Sequence, residues 1–317
     1  MSSFYFLCQQ TMIFFVPLMI VALGELFSER AGVLNIALEG VMIFGGFWGI
    51  LFVSAFQGGM PAWLCLLVAI LISMAAGMLL TLLHAFASIH LKADQTISST
   101  ALNTFAAAFC IFFARVVQQV EQVSFKNTFR IDEVPLLGKI PFLGPILFQN
   151  VYITTYLGIA ILLITSYVLY KTRFGLRLRS CGENPQAADS VGIDVYRMRY
   201  TGVLISGALG GLGGLVYIIP STTMFNSSVA GYGFLALTVL VFGQWKPRRI
   251  FLAALFFGLT KTIAAAYSGI PFLLGLGIPD VVYKMLPYVA TLVVLTVTSK
   301  SSPGPAAAGA PYDKGAR

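Results

Sequence analysis

The 317-residue chain is 58% hydrophobic and only 10% charged, against about 45–50% apolar and about 25% charged in soluble domains. That composition excludes an ordinary soluble fold and predicts one integral membrane domain. The net charge of +8 sits in short basic clusters beside apolar runs, where it sets topology and meets anionic headgroups, so nucleic acid is not an expected partner. Cys8, Cys65, Cys110 and Cys181 form no Cys-x-x-Cys pair, and the reading includes neither a metal site nor a disulfide framework.

Taken in order, window hydropathy predicts an all-α, polytopic transmembrane bundle of about eight to ten spans. The segments are roughly 11–27, 33–56, 62–90, 96–116, 151–170, 200–220, 230–245, 250–268 and 281–299, the seventh open to a reading as a re-entrant segment plus a span. The transmembrane domain therefore covers 1–299, and the Pro/Ala/Gly-rich 300–317 is expected to be a disordered tail. The first run lacks a basic n-region and a cleavage site, so it is expected to remain in the mature protein.

The run 24–40, GELFSERAGVLNIALEG, places Glu25, Glu29, Arg30 and Glu39 in apolar surroundings. Each charge costs about 2.5–3.5 kcal/mol at a helix centre on the insertion scale, so each needs water, a counter-charge or a headgroup. Glu25 and Glu29 share a helix face and either pair with Arg30 or form a short solvated loop. Asn35 and Glu39, also four apart, are read as facing a solute path. His84 and His90, six apart, share no helix face and suit the interface better than a metal. Asp94 is placed to cap a helix carrying Ser98, Ser99, Thr100 and Asn103, with Asn103 the favoured path-lining residue. Residues 117–150, with Pro135, Pro141 and Pro145, read as a long external loop of mixed charge.

Lys171 to Arg199 is the longest strongly polar stretch, with six basic residues flanking apolar runs on both sides. The positive-inside bias puts it in the cytoplasm, together with Arg30, Lys92, Lys246, Arg248, Arg249 and the C-terminus, and leaves the N-terminus outside. Within it, Asn184 can cap a short helix, Pro185 to Val191, that starts on proline and stops at Gly192; Asp194 can cap the next span. So short a helix does not persist alone in water, so something should pack on it. Further on, Gly207, Gly210, Gly211 and Gly214 are spaced for close helix contact. Ser221–Gly233 is irregular, and its part from Asn226 to Gly233, with Tyr232, reads as part of an external gate or solute vestibule. Gly32–Gly45 and Gly233–Gly243 both end in Phe-Gly and run in opposite directions, as an inverted repeat would. Lys261 lies in a span and must snorkel or find an acid such as Glu39.

The order FGLRLRSCGENPQAADSVGIDVYRMRYTGVLISGALGGLGGL resembles the coupling loop of permease subunits of bacterial ATP-binding-cassette importers for ribose-type sugars, nucleosides and branched-chain amino acids. The family pattern falls on Gly182, Asn184, Ala187, Ala188, Gly192 and Ile193, with Glu183 and Pro185 in the same loop. GELFSERAGVLNIALEG and the terminal PYDKG resemble the nucleoside subgroup. The resemblance implies ATPase subunits that hold ATP and magnesium, a second permease subunit, identical or paralogous, and an extracytoplasmic solute-binding lipoprotein or periplasmic protein. It also implies a bacterial inner-membrane location and nucleoside uptake. Ribose-like sugars, or an ion-coupled secondary transporter using Glu39, Asp94 or Lys261, are the alternatives; a membrane scaffold or receptor without transport is a third reading. No phosphate loop, nucleophile elbow or His-Glu-x-x-His motif is present, so the chain itself is not read as an enzyme.

Overall fold

Helix dominates because almost every long segment is apolar enough that its backbone must be hydrogen-bonded within itself. The computed structural model describes residues 2–135, 138, 140, 141, 143–267, 279, 281–283, 285, 286, 289, 292, 293, 296 and 304–315. In chain order these form α1 (Ser2–Arg30), α2 (Leu38–Phe56), α3 (Ala62–Ala85) with a π-type turn at Phe86–His90, and α4 (Gln95–Gln118). Next come β1 (Val123–Ser124), β2 (Arg130–Glu133), α5 (Leu143–Leu147), β3 (Gln149–Tyr152) and α6 (Ile153–Lys171). The remainder is α7 (Arg173–Glu183), α8 (Pro185–Ser190), α9 (Val195–Ser221), β4 (Met224–Phe225), α10 (Tyr232–Phe242) and α11 (Pro247–Ala266).

Seven of the described helices are long and apolar enough to cross a bilayer, making this a multi-pass membrane bundle. The seventh expected span, left open to a re-entrant reading, is short: α10 has 11 residues, about 16 Å of helix at 1.5 Å per residue against about 30 Å of hydrocarbon. It is a half-span entered through the non-helical residues 222–231. The ninth, 281–299, falls largely outside the described residues. The expected loop at 117–150 contributes to two small antiparallel ribbons, β1 pairing with β4 from after α9 and β2 with β3. Periodicity misses strands of two to four residues.

The most buried span is α9, and its glycines explain why. A Cβ on Gly211 would lie 2.2 Å from the Ser73 carbonyl oxygen, one on Gly77 2.1 Å from that of Gly207, and one on Gly214 2.0 Å from that of Met42. Backbones of α2, α3 and α9 therefore touch directly, which requires the small residues that the sequence spacing indicated. Around this junction Phe47, Leu212, Leu215, Val216 and Ile218 form the core with the inner face of α1.

The loops at 31–37, 91–94, 172–194 and 243–246 gather at one end, joined by the bonds Arg30–Glu183, Arg30–Trp245 and Leu34–Gln95. Residues 57–61, 119–135 and 222–227 meet at the other end through Lys126–Gln57, Ser54–Ser124 and Asn127–Ile219. These are called the coupling face and the opposite face below. Gly211→Leu should jam the α2–α3–α9 junction, at a cost of about 1–3 kcal/mol or more for forced overpacking. A lower midpoint in detergent thermal unfolding and a smaller monodisperse fraction are expected, whereas Gly58→Leu, in open space, should leave both unchanged.

Candidate functional site

On the coupling face, side-chain caps shape each turn. Thr172 Oγ1 accepts from the Gly175 N–H at 3.1 Å, Asn184 Oδ1 from Ala187 at 3.0 Å and Asp194 Oδ1 from Arg197 at 3.0 Å. Pro185 opens α8 where no N–H is needed, and Gly192 leaves it at φ +83°. Gly182, Pro185 and Ala188 turn inward, while Glu183, Asn184, Ala187 and Gly192 are exposed and Ile193 is half-buried. Val191 is 75% exposed just past the helix, an apolar side chain with no cover of its own. The expected helix over Pro185–Val191 is thus present, one residue shorter.

That helix is not isolated. Arg30 donates to Glu183 at 3.2 Å and to the Trp245 carbonyl at 3.1 Å, and Glu29 accepts from the Trp245 indole at 2.5 Å. Gly182 sits so close to the end of α1 that a Cβ would stand 2.3 Å from the Arg30 oxygen. Glu25 and Glu29 are buried, which corrects the solvated-loop alternative for this stretch.

The C-terminal segment corrects a second expectation. Instead of trailing free, residues 304–315 run as a strap beneath the coupling face. Gly304 lies on the Trp245 ring; the Ala307 N–H donates to the Gly182 oxygen at 2.9 Å; Arg199 donates to the Ala310 oxygen at 2.9 Å. Tyr312 is 3% exposed, packs edge-on against Tyr196 and shares an apolar cluster with Cys181, Ala188 and Val195. Composition concealed this because most of the strap's partners are more than a hundred residues away in sequence. At its end Lys92 donates to Asp313 at 2.6 Å. That bond holds the Asp313 carboxyl below its ordinary value and raises the Lys92 ammonium. Asp313's contribution is present above its unfolded value and goes as pH falls through the lowered one. Lys92's is present below its unfolded value and goes as pH rises through the raised one. Both groups are exposed, so the buried Tyr312 and the backbone bonds hold the strap more than the ion pair does.

Running inward from the coupling face, the backbone breaks between α1 and α2, and polar side chains close the break. Glu25 accepts from the Asn35 N–H at 2.9 Å, Ser28 donates to the Val33 oxygen at 2.8 Å and Gln95 accepts from Leu34 at 2.8 Å. His84 Nε2 lies 2.9 Å from the Leu34 carbonyl, so it carries the proton and Nδ1 accepts from Ser98 at 3.1 Å. Asn103 donates to the Ile36 oxygen at 3.0 Å and accepts from the Gly40 N–H at 2.7 Å. Asn35 is fully buried, donating to Ser206, which donates in turn to Glu25.

The candidate path residues therefore do not line one cavity. Asn35, Ser98 and Asn103 brace the break; Asn103 and Ser98 remain half-buried, Asn35 does not. Buried His84 departs from the expected interfacial position. Glu39 occupies a different role: its carboxylate accepts from the N–H groups of Gly231 at 2.9 Å and Gly233 at 2.8 Å, so it sits on the positive end of half-span α10. Tyr232 is 1% exposed, tilted against Tyr217 with ring centres 4.1 Å apart. Lys261 stands 5.7 Å from the Tyr232 ring centre instead of pairing with Glu39. Asn226 is exposed on the opposite face, apart from the others. The roles of Glu25, Ser28, His84, Gln95 and Ser206 escaped a reading by spacing. Their signal is chemical, since a polar group in an apolar run has to find a partner.

Residues 7–295 match the family described as branched-chain amino acid transport system / permease component. A guanosine ABC transporter permease protein of Bacillus subtilis is 45% identical over 97% of this chain and 96% of its own length. A nucleoside ABC transporter permease protein of Lactococcus lactis is 40% identical over 96% of this chain and 95% of its own. A putative glucose ABC transporter permease protein of Haloferax volcanii is 33% identical over 78% and 73%. With a family match along nearly the whole bundle and relatives this similar, the chain belongs to the branched-chain amino acid transport system permease family.

Proposed function

We propose that this chain is the membrane-spanning permease subunit of an ATP-binding-cassette importer for nucleosides, driven by separate ATPase subunits that dock on α8. The carrying observation is the capped α8 with Ala187 and Val191 turned outward, on a chassis of Arg30, Glu183 and the C-terminal strap. The names of the two relatives that match over nearly their full length support nucleosides; the glucose relative keeps sugars as the second reading. ATP and magnesium belong to the ATPase chains. A second permease subunit, identical or paralogous, would complete the pathway. A solute-binding lipoprotein or periplasmic protein would deliver solute at the opposite face. The coupling face then looks into the cytoplasm of a bacterium, with the C-terminus inside and the N-terminus outside the inner membrane.

A physical route leads from α8 inward. Thrust on α8 reaches Glu183, then Arg30 and Trp245, then the near end of α10, whose far end Glu39 ties to the start of α2. Nucleotide would bias two arrangements of this half-span, one open to each side.

Proteoliposomes with permease, ATPases and receptor should take up labelled guanosine only with ATP, and permease alone should concentrate none; ATP-independent accumulation would sink the reading. Val191→Asp should put an unpaired charge in the docking surface, weakening ATPase co-purification about tenfold or more. Deleting residues 304–317 should leave the bundle assembled with its ATPases while nucleotide hydrolysis proceeds with little uptake. Normal uptake by that truncation would free the strap of any part in coupling. Glu39→Gln keeps the shape but removes the charge from the α10 terminus, an interaction of about 0.3–2 kcal/mol. Expected is a lower uptake-to-hydrolysis ratio with unchanged ATPase binding, read from parallel transport and phosphate-release assays.

A further inference from the structure

The coupling face has a second concave feature, away from α8. A cleft of about 590 Å³ opens between the end of α6 and the start of α11. Lys171, Lys246, Arg248 and Arg249 form its rim, and Leu163 and Tyr167, both mostly exposed, form its floor toward the apolar band. No carboxylate is among its lining residues, and none of the four cations forms an ion pair with a described residue.

Their placement makes this arrangement costly by itself. Lys246 is the N-cap of α11, and Arg248 and Arg249 stand in its first turn, which contains no acid. A helix N-terminus already carries positive partial charge and favours anions, so three basic side chains there repel both the helix end and one another. Topology requires positive charge on this side of the membrane but does not require it to converge on a concave site. Tyr170, which closes one side, is fixed by Arg179 over its ring at 4.9 Å and by its hydroxyl on the Trp245 oxygen at 3.5 Å. The mouth of the cleft is therefore held beside the residue that links Arg30 to α10.

We infer that this cleft binds the headgroup of an anionic phospholipid, with phosphate between the four cations and an acyl chain along Leu163 and Tyr167. An anion cancels the uncompensated charge, and only an amphiphile also covers the apolar floor, which joins the membrane-facing sides of α6 and α11. Arg suits phosphate by its planar fork, and Lys as a compact point charge.

The test uses the permease assembled with its ATPases in nanodiscs of equal phosphatidylcholine and phosphatidylglycerol, released into a mass spectrometer to read the lipid retained. Phosphatidylglycerol should be retained in excess, and the excess should fall about fivefold for each cation removed in K246Q/R248Q/R249Q. The charge-conserving R248K/R249K should keep it, which separates loss of charge from loss of fold. Equal retention of both lipids, an unchanged excess in the neutral variant, or displacement by millimolar inorganic phosphate would overturn the assignment. So would efficient crosslinking from Ser166→Cys to an ATPase or second permease subunit, which would give the cleft to a protein. Transport is not the readout, so this inference and the nucleoside reading fail separately.

Discussion

Everything in this bundle is arranged around one unfavourable stretch of backbone, the seven residues between α1 and α2. They run inward from the coupling face and past Val33 leave the helical hydrogen-bond pattern while largely buried, where each unpaired amide or carbonyl would cost several kcal/mol. Glu25, Ser28, His84, Gln95 and Asn103, drawn from α1, α3 and α4, supply the missing partners one by one. Such a network is useful only when complete, since a half-satisfied one is worse than an apolar core. That requirement explains why a run so rich in carboxylate and amide groups sits inside an apolar protein.

The break has a geometric product. Starting α2 late puts Glu39 within the bundle instead of at its edge, where it meets the first turn of α10 coming from the opposite face. Two helix N-termini thus approach each other at depth, and the carboxylate compensates the positive end of the second. On the coupling face the last turn of α1 delivers Glu29 and Arg30 to Trp245 and Glu183. One helix, α1, thereby contributes to both ends of α10, directly at one end and through the broken segment at the other.

Much of this was legible in the sequence where a residue's role is local. Asn184, Asp194 and Asp94 cap the helices that follow them, Gly192 stops α8, and the α9 glycines pack as their spacing implied. Long-range roles were not. Asn35 and Asn103 carry no mark that separates a path-lining amide from one bracing a broken backbone, because partner identity depends on helices up to 171 residues away. The half-length of α10 was legible in part: the irregular stretch before it and the re-entrant alternative were readable, but the meeting of its start with Glu39 depends on tertiary contacts. The strap was misread because Pro, Ala and Gly describe a chain unable to fold alone, which is compatible with one that docks.

Where the bundle can yield under load follows from comparing its joints. The α2–α3–α9 junction is backbone against backbone, with no space for even a methyl group at Gly45, Gly77 or Gly211, so sliding there would collide with carbonyls. The start of α10 is equally tight, since a Cβ on Gly233 would meet the Glu39 backbone, and it adds two amide N–H hydrogen bonds to the Glu39 carboxylate; its other end is tied by the indole and carbonyl of Trp245. A few hydrogen bonds, each worth about 1–3 kcal/mol where a charge is involved, can exchange partners without opening a void. On the proposed reading, a push delivered at α8 would meet a rigid glycine wedge along α9 and, at the Trp245 end of α10, a joint made of hydrogen bonds, and that joint is where the half-span would give.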